Sequence, residues 1–149
     1  VMDGFSKDFV GYAMADSMKT DLVIRALHSA VTRRNPDKGL IHHSDKGSQY
    51  TSYRFQAELN SQHLCASFTG TGACLDNAII ESFWATLKKE LVYQCHFKTR
   101  HEARLAIFEY IEVFYNRERL HSSLLYQTPH GFEINHDIHH EEGLLHAAA

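Results

Sequence analysis

The sequence predicts a single α/β domain with some parallel pairing among its strands. Short apolar, strand-like runs alternate with longer segments of helical periodicity. The chain has 149 residues, which suits one domain. Hydrophobic residues make up 44% and charged residues 22%, close to the globular average and unlike a disordered chain.

Val1 and Met2 read as the end of a strand, Asp3-Gly4 as a turn, and Phe9 to Met14 as a second strand. Thr20 is placed to cap a helix, with Asp21 in its first turn where a negative charge suits the helix dipole. Leu22, Val23, Ala26, Leu27, Ala30 and Val31 give that helix an apolar face, and Asn35-Pro36 ends it. Leu40 to His43 reads as a short buried strand. Thr51 to Gln62 reads as a helix with Phe55 and Leu59 four apart, and Cys65 to Phe68 as another strand. Gly70-Thr71-Gly72 then forms a loop. Asp76-Asn77 starts the strongest helix, which runs to about Val92 with Ile80, Phe83, Trp84, Leu87 and Leu91 as a core-facing stripe. Thr99 caps the next, from about Arg100 to Asn116, with Ala103, Ala106, Ile107, Tyr110, Ile111, Val113 and Phe114 as its apolar positions. Beyond Asn116 no periodicity stands out.

Several classes are disfavoured at once. Two prolines and eight glycines leave no room for a low-complexity linker, and there are no internal repeats. No apolar run approaches membrane-helix length and no signal-peptide pattern opens the sequence, so a soluble, cytoplasmic protein is expected. Cys65, Cys74 and Cys95 are odd in number and form no Cys-x-x-Cys pair, and they read as reduced thiols. Among twelve histidines no set has zinc-finger spacing; adjacent His42 and His43 on a strand would point to opposite faces. The net charge of −3 argues against a nucleic-acid binder when taken alone. It is unevenly spread, however. From Glu133 on there are four acids and no Lys or Arg, so residues 1–132 carry +1.

Two acids invite chemistry. Asp45 follows a short strand and precedes Gly47, at the strand end where open α/β sheets place ligands. Glu81 lies one turn inside the strongest helix, with 35 residues between it and Asp45. By spacing alone each reads first as a turn or first-turn acid; the functional reading is a hard oxygen ligand suited to Mg²⁺ or Mn²⁺. Lys88 is seven residues beyond Glu81 on the same helical face, either solvated or placed to hold a phosphate.

At this point the residues resemble a known family. His43-Ser44-Asp45-Lys46-Gly47-Ser48-Gln49-Tyr50-Thr51-Ser52 is similar to the second-aspartate motif of bacterial insertion-sequence transposases of the OrfB type, insertion-sequence family three. These belong to the retroviral-integrase-like group with a D, D-35-E active site. Asp76-Asn77-Ala78, Glu81-Ser82-Phe83-Trp84, Thr86-Leu87-Lys88 and Glu90 resemble its glutamate helix. Tyr115-Asn116, Arg119, His121-Ser122, Leu124, Tyr126 and Thr128-Pro129 resemble its C-terminal signature. Asp3, Phe5-Ser6 and Val10-Gly11 match its second strand, turn and third strand.

The resemblance implies an RNase H-like mixed sheet flanked by helices. It also implies metal-dependent DNA strand cleavage and strand transfer, that is, transposition or integration. Asp45 and Glu81 would hold two Mg²⁺ or Mn²⁺ ions about 4 Å apart that clamp an in-line displacement at phosphorus. Lys88, His43, Asn77 and Arg119 are the candidate DNA contacts; Tyr115, Arg117 and His121 would touch the DNA backbone or pack in a dimer. Partners would be the element ends, target DNA, and a second copy or an intact transposase, with no membrane and with nucleoid association.

That group has three acids, the first on a central strand. Asp3 sits in a tight turn and matches a later hairpin, so the first catalytic aspartate is expected to be absent here and its strand to lie upstream of Val1. A catalytic-core segment over 1–133 and a disordered acidic, His-containing tail over 134–149 are the expected divisions. The alternative reading is an inactive remnant that acts only through DNA or protein association.

Overall fold

Helix α1 spans Thr20–Arg34. Lys19 rather than Thr20 occupies the capping position, without a side-chain cap, and Thr20 is the first helical residue. Asn35 closes the helix in a left-handed conformation, its N–H donating to the Val31 carbonyl. In the computed structural model, which describes residues 1–70 and 78–137, β1 (Ile41–Ser44) follows. Next come the short helix α2 (Ser48–Thr51), α3 (Tyr53–Ser61) and β2 (Cys65–Phe68). Helix α4 (Ala78–Leu87) runs on into π-helical turns over Lys88–Val92, and α5 (Arg100–Glu109) into π-helical turns over Tyr110–Glu118. Helix α6 covers 129–137.

The sheet among the described residues is two parallel strands, β1 and β2, in the register Ile41↔Cys65, His42↔Ala66, His43↔Ser67 and Ser44↔Phe68. The crossover through α2 and α3 is the connection that parallel pairing needs. The chain divides into two compact units. One holds Val1–Met2 and the described part of Val10–Val92; the other holds Asp3–Phe9 and the described residues from Tyr93 on.

The core of the first unit is Ile24 and Leu27 of α1, Phe55 and Leu59 of α3, and Leu64, with Val23, Val31 and Tyr50 against it. Each fully buried side chain of this kind contributes about 1.5–3 kcal/mol. Gly11 lies directly under α1: a Cβ there would come 2.3 Å from the Ala30 nitrogen, so only glycine fits. On the surface, α1 and α3 are joined by Arg54–Asp21 at 2.5 Å and His28–Glu58 at 2.7 Å. Exposed pairs of this kind contribute at most about 1 kcal/mol.

Four expectations are corrected. The segment 51–62 is not one helix. Ser52 breaks it, its hydroxyl donating to the Gln49 carbonyl and accepting from the Phe55 N–H as the cap of α3. Strand β1 is not buried: Leu40 and Ile41 are exposed and only Ser44 is buried. One face of the strand turns His42 toward Tyr50 and Phe55, while Ile41 and His43 lie on the other, exposed face. No full strand forms over 1–2 or 9–14, where only Met2 and Phe9 take bridge geometry. The Val10 and Gly11 N–H groups both point at the Val1 carbonyl. In the other unit, Asp3 Oδ1 accepts from the Phe5 and Ser6 N–H groups and from the Ser6 hydroxyl, and Lys7 turns left-handed at φ 61°. Trp84 is exposed while Phe83 is buried, because neighbours on a helix project about 100° apart and cannot share one core face.

The stripe predicted beyond Glu109 also changes. Tyr110, Ile111 and Tyr115 are buried, whereas Val113 and Phe114 are exposed. The π turns bring residues five apart onto one side, so Tyr110 and Tyr115 approach with ring centroids 6.4 Å apart. Helix α6 was not foreseen, although its signal is local. Thr128 caps it, accepting the Gly131 N–H at 3.0 Å, and Pro129 starts it. It crosses residue 133 and continues to 137.

Candidate active site

Strand β1 delivers Asp45 to its carboxyl end. Asp45 Oδ1 accepts the Gly47 N–H at 2.8 Å, which anchors one carboxylate oxygen inside a tight local turn. Oδ2 makes no hydrogen bond or ion pair among the described residues, and Asp45 is exposed. Gly47 is needed for space rather than for backbone freedom. Its φ of −56° suits any residue, but a Cβ there would lie 2.8 Å from Asp45 Oδ1. Tyr50, on α2, meets Phe55 edge-on with centroids 5.5 Å apart. Burial, and then the negative charge of Asp45, push its phenol above the ordinary value.

His43 is exposed, with both ring nitrogens engaged: Nδ1 is 3.0 Å from Ser67 Oγ and Nε2 is 3.2 Å from Thr69 Oγ1. His42 on the opposite face is partly buried against Tyr50 and Phe55, its Nδ1 buried without a hydrogen-bond partner. Burial lowers its pKa.

Glu81 lies in the first turn of α4, exposed, and forms no hydrogen bond or ion pair among the described residues. Lys88, exposed where the π turns begin, likewise makes no ion pair among them. Asp45, His43, Glu81 and Lys88 belong to the same compact unit. Asn77 and the loop residues Thr71 and Gly72 lie outside the described residues.

Arg119 belongs to the other unit and is half-buried. Its guanidinium lies 6.0 Å from the Tyr115 ring centroid and 3.4 Å from the His121 ring. Tyr115 and His121 are themselves buried, which removes both from the expected set of surface DNA contacts. Asn116 is consumed too: its Oδ1 accepts the Phe9 N–H at 2.9 Å and its Nδ2 donates to the Phe9 carbonyl at 3.2 Å.

Ser67 and Thr69 are the site's neighbours that no local pattern marks, because they reach His43 through strand pairing.

The donor set fits a hard divalent cation. Among the described residues, Asp45 offers an exposed carboxylate whose second oxygen has no partner, and Glu81 offers another carboxylate with none. Among the described residues no three His, Cys, Asp or Glu side chains gather as a ready-made ligand cluster. Also among them, no helix is long and apolar enough to cross a membrane.

Known proteins match the chain over most of its length. Residues 1–74 and 81–136 each match an integrase core domain family. The chain is 45% identical over 132 residues to the transposase for insertion sequence element IS904 of Lactococcus lactis, covering 89% of this chain and 52% of that protein. It is 43% identical to the insertion element IS600 31 kDa protein of Shigella sonnei, covering 89% and 48%. Against transposase InsF for insertion sequence IS3A of Escherichia coli it is 39% identical over 133 residues, covering 89% and 46%. The chain thus spans about half the length of these curated relatives. Its helix-rich fold with a small parallel sheet, and two matched stretches leaving out only 75–80 and the last residues, show that the chain belongs to the integrase core family.

Proposed function

We propose that this chain contributes Asp45 and Glu81 as metal-holding carboxylates to an enzyme that cleaves DNA strands and transfers them to new sites. The observation that carries the reading is the state of Asp45. One oxygen is anchored by the Gly47 N–H, while the other has no partner among the described residues at the exposed end of a parallel strand. Bound Mg²⁺ or Mn²⁺ would activate an attacking oxygen and stabilise the leaving oxygen at phosphorus. Glu81 supplies a second carboxylate from a helix. Lys88, two turns along that helix and without an ion pair among the described residues, is a cation for a neighbouring phosphate. Insertion-element ends and target DNA are the proposed substrates, and a second copy or an intact transposase the proposed partner. Asn77 and Arg119 remain proposed DNA contacts, Arg119 needing to leave its Tyr115 and His121 neighbours to make one.

The test is Mn²⁺ titration of the 149-residue chain by electron paramagnetic resonance, with Asp45→Asn and Glu81→Gln alongside. Each variant should lose most of the binding without unfolding. Undiminished binding in either would remove that residue from the site. A gel shift with element-end duplex, run in parallel, separates the other reading. DNA retention with no Mn²⁺ binding would mark a chain that acts by association alone.

A further inference from the structure

We infer that His43 is a positioning residue for Asp45. With Ser67 and Thr69 it forms a clamp that sets how Asp45 leaves β1. This rests on the reading of Asp45 as a metal ligand.

The parallel register sets His43 beside Ser67, with their side chains on one face. The ring then bridges two residues of the neighbouring strand's end, Nδ1 to Ser67 Oγ at 3.0 Å and Nε2 to Thr69 Oγ1 at 3.2 Å. The Thr69 hydroxyl donates to the Ser44 carbonyl at 3.3 Å, and the Thr69 N–H donates to the same carbonyl at 2.9 Å. With its proton directed at Ser44, Thr69 Oγ1 accepts from Nε2–H, and Ser67 Oγ–H donates to Nδ1. The Ser44–Asp45 peptide is therefore gripped twice by Thr69, and His43 holds the hydroxyl that makes one of those grips.

The cluster is exposed, so its bonds exchange with water and contribute little to global stability. What they supply is local orientation. In this arrangement His43 spends its donors and acceptors on the strand ends rather than on a phosphate.

The experiment uses the ¹⁵N-labelled 149-residue chain. Exchange of the Gly47 amide reports the Asp45 Oδ1 bond without any metal, and Mn²⁺ affinity reports the site. Thr69→Val keeps the shape and removes the hydroxyl; Thr69→Ser keeps the hydroxyl. In Thr69→Val, Gly47 exchange should rise at least threefold and Mn²⁺ affinity fall several-fold, with the unfolding midpoint unchanged. Thr69→Ser should restore both. Unchanged Gly47 exchange in Thr69→Val, or equal loss in both variants, overturns the clamp. Should Thr69→Val fail to fold, Ser67→Ala carries the same reading. An Asp45→Asn chain that binds Mn²⁺ normally overturns the metal reading instead, while the amide data still decide the clamp.

Discussion

The end of β1 and the turn that follows Glu118 are both rich in motif residues, and they treat their side chains in opposite ways. At the end of β1, Asp45 keeps one oxygen uncommitted and Glu81 makes no bond among the described residues. Around Asn116 the polar groups are engaged inside. Tyr115 and Asn116 are 3% and 4% exposed, Asn116 bonds both backbone groups of Phe9, and the Tyr115 ring meets Phe9 edge-on at 5.8 Å and His121 at 4.9 Å. The side-chain amide of Asn116 stands in for a neighbouring strand. A motif residue whose bonding is exhausted internally holds the fold; one with capacity left over is available for chemistry. The two kinds look alike in a sequence.

This contrast can be broken by mutation. Tyr115→Ala removes a buried ring and should cost about 3–5 kcal/mol of stability in urea unfolding. Asn116→Ala leaves the Phe9 N–H and carbonyl buried without partners and should cost about 2–4 kcal/mol by the same measurement. Asn116→Asp keeps the acceptor but sets a buried carboxylate against the Phe9 carbonyl, so it should cost at least as much as Asn116→Ala. At the other site, Asp45→Asn should change stability by under about 0.5 kcal/mol while abolishing Mn²⁺ binding. If Asp45→Asn unfolds the chain as Asn116→Ala does, the contrast fails. Gly47→Ala is a finer probe. Its backbone is unstrained, so stability should hold within about 0.5 kcal/mol, yet the added methyl should push Asp45 Oδ1 aside and weaken Mn²⁺ several-fold, read by electron paramagnetic resonance.

The smallest effect is a pH dependence. Burial holds the His42 pKa below 6.5, so the unfolded chain takes the proton first, and stability should decline as pH falls below 6.5. Glu58 is shifted down, chiefly by its hydrogen bond from His28, so its contribution is full above 4.5 and lost as pH falls through the lower folded value. Unfolding midpoints against pH should therefore drop in two windows. His42→Phe should flatten the upper one and Glu58→Gln the lower.

Much of the fold was legible in the sequence where the deciding contacts are local. The Thr99 cap of α5 is one case: Thr99 accepts the Glu102 N–H and Glu102 accepts the Lys98 N–H, all within four residues. The Asn35 stop of α1 and the Asp45–Gly47 turn are others. The break at Ser52 and the Thr128-Pro129 start of α6 were equally local and readable, but Ser and Thr also occur inside helices, and apolar spacing outweighed them.

The order of elements, their caps and the motif of acids therefore follow from the order of residues, because a side chain can reach backbone three or four positions away whatever the rest of the chain does. The burial of Tyr115 and Asn116, the exposure of β1 and the grip of Ser67 and Thr69 on His43 do not. They join residues 24 and 107 positions apart, and depend on strand register and on π turns that re-aim the end of a helix. Those contacts exist only once the entropy of bringing distant segments together has been offset by packing, and that balance is a property of the whole fold rather than of any window of sequence.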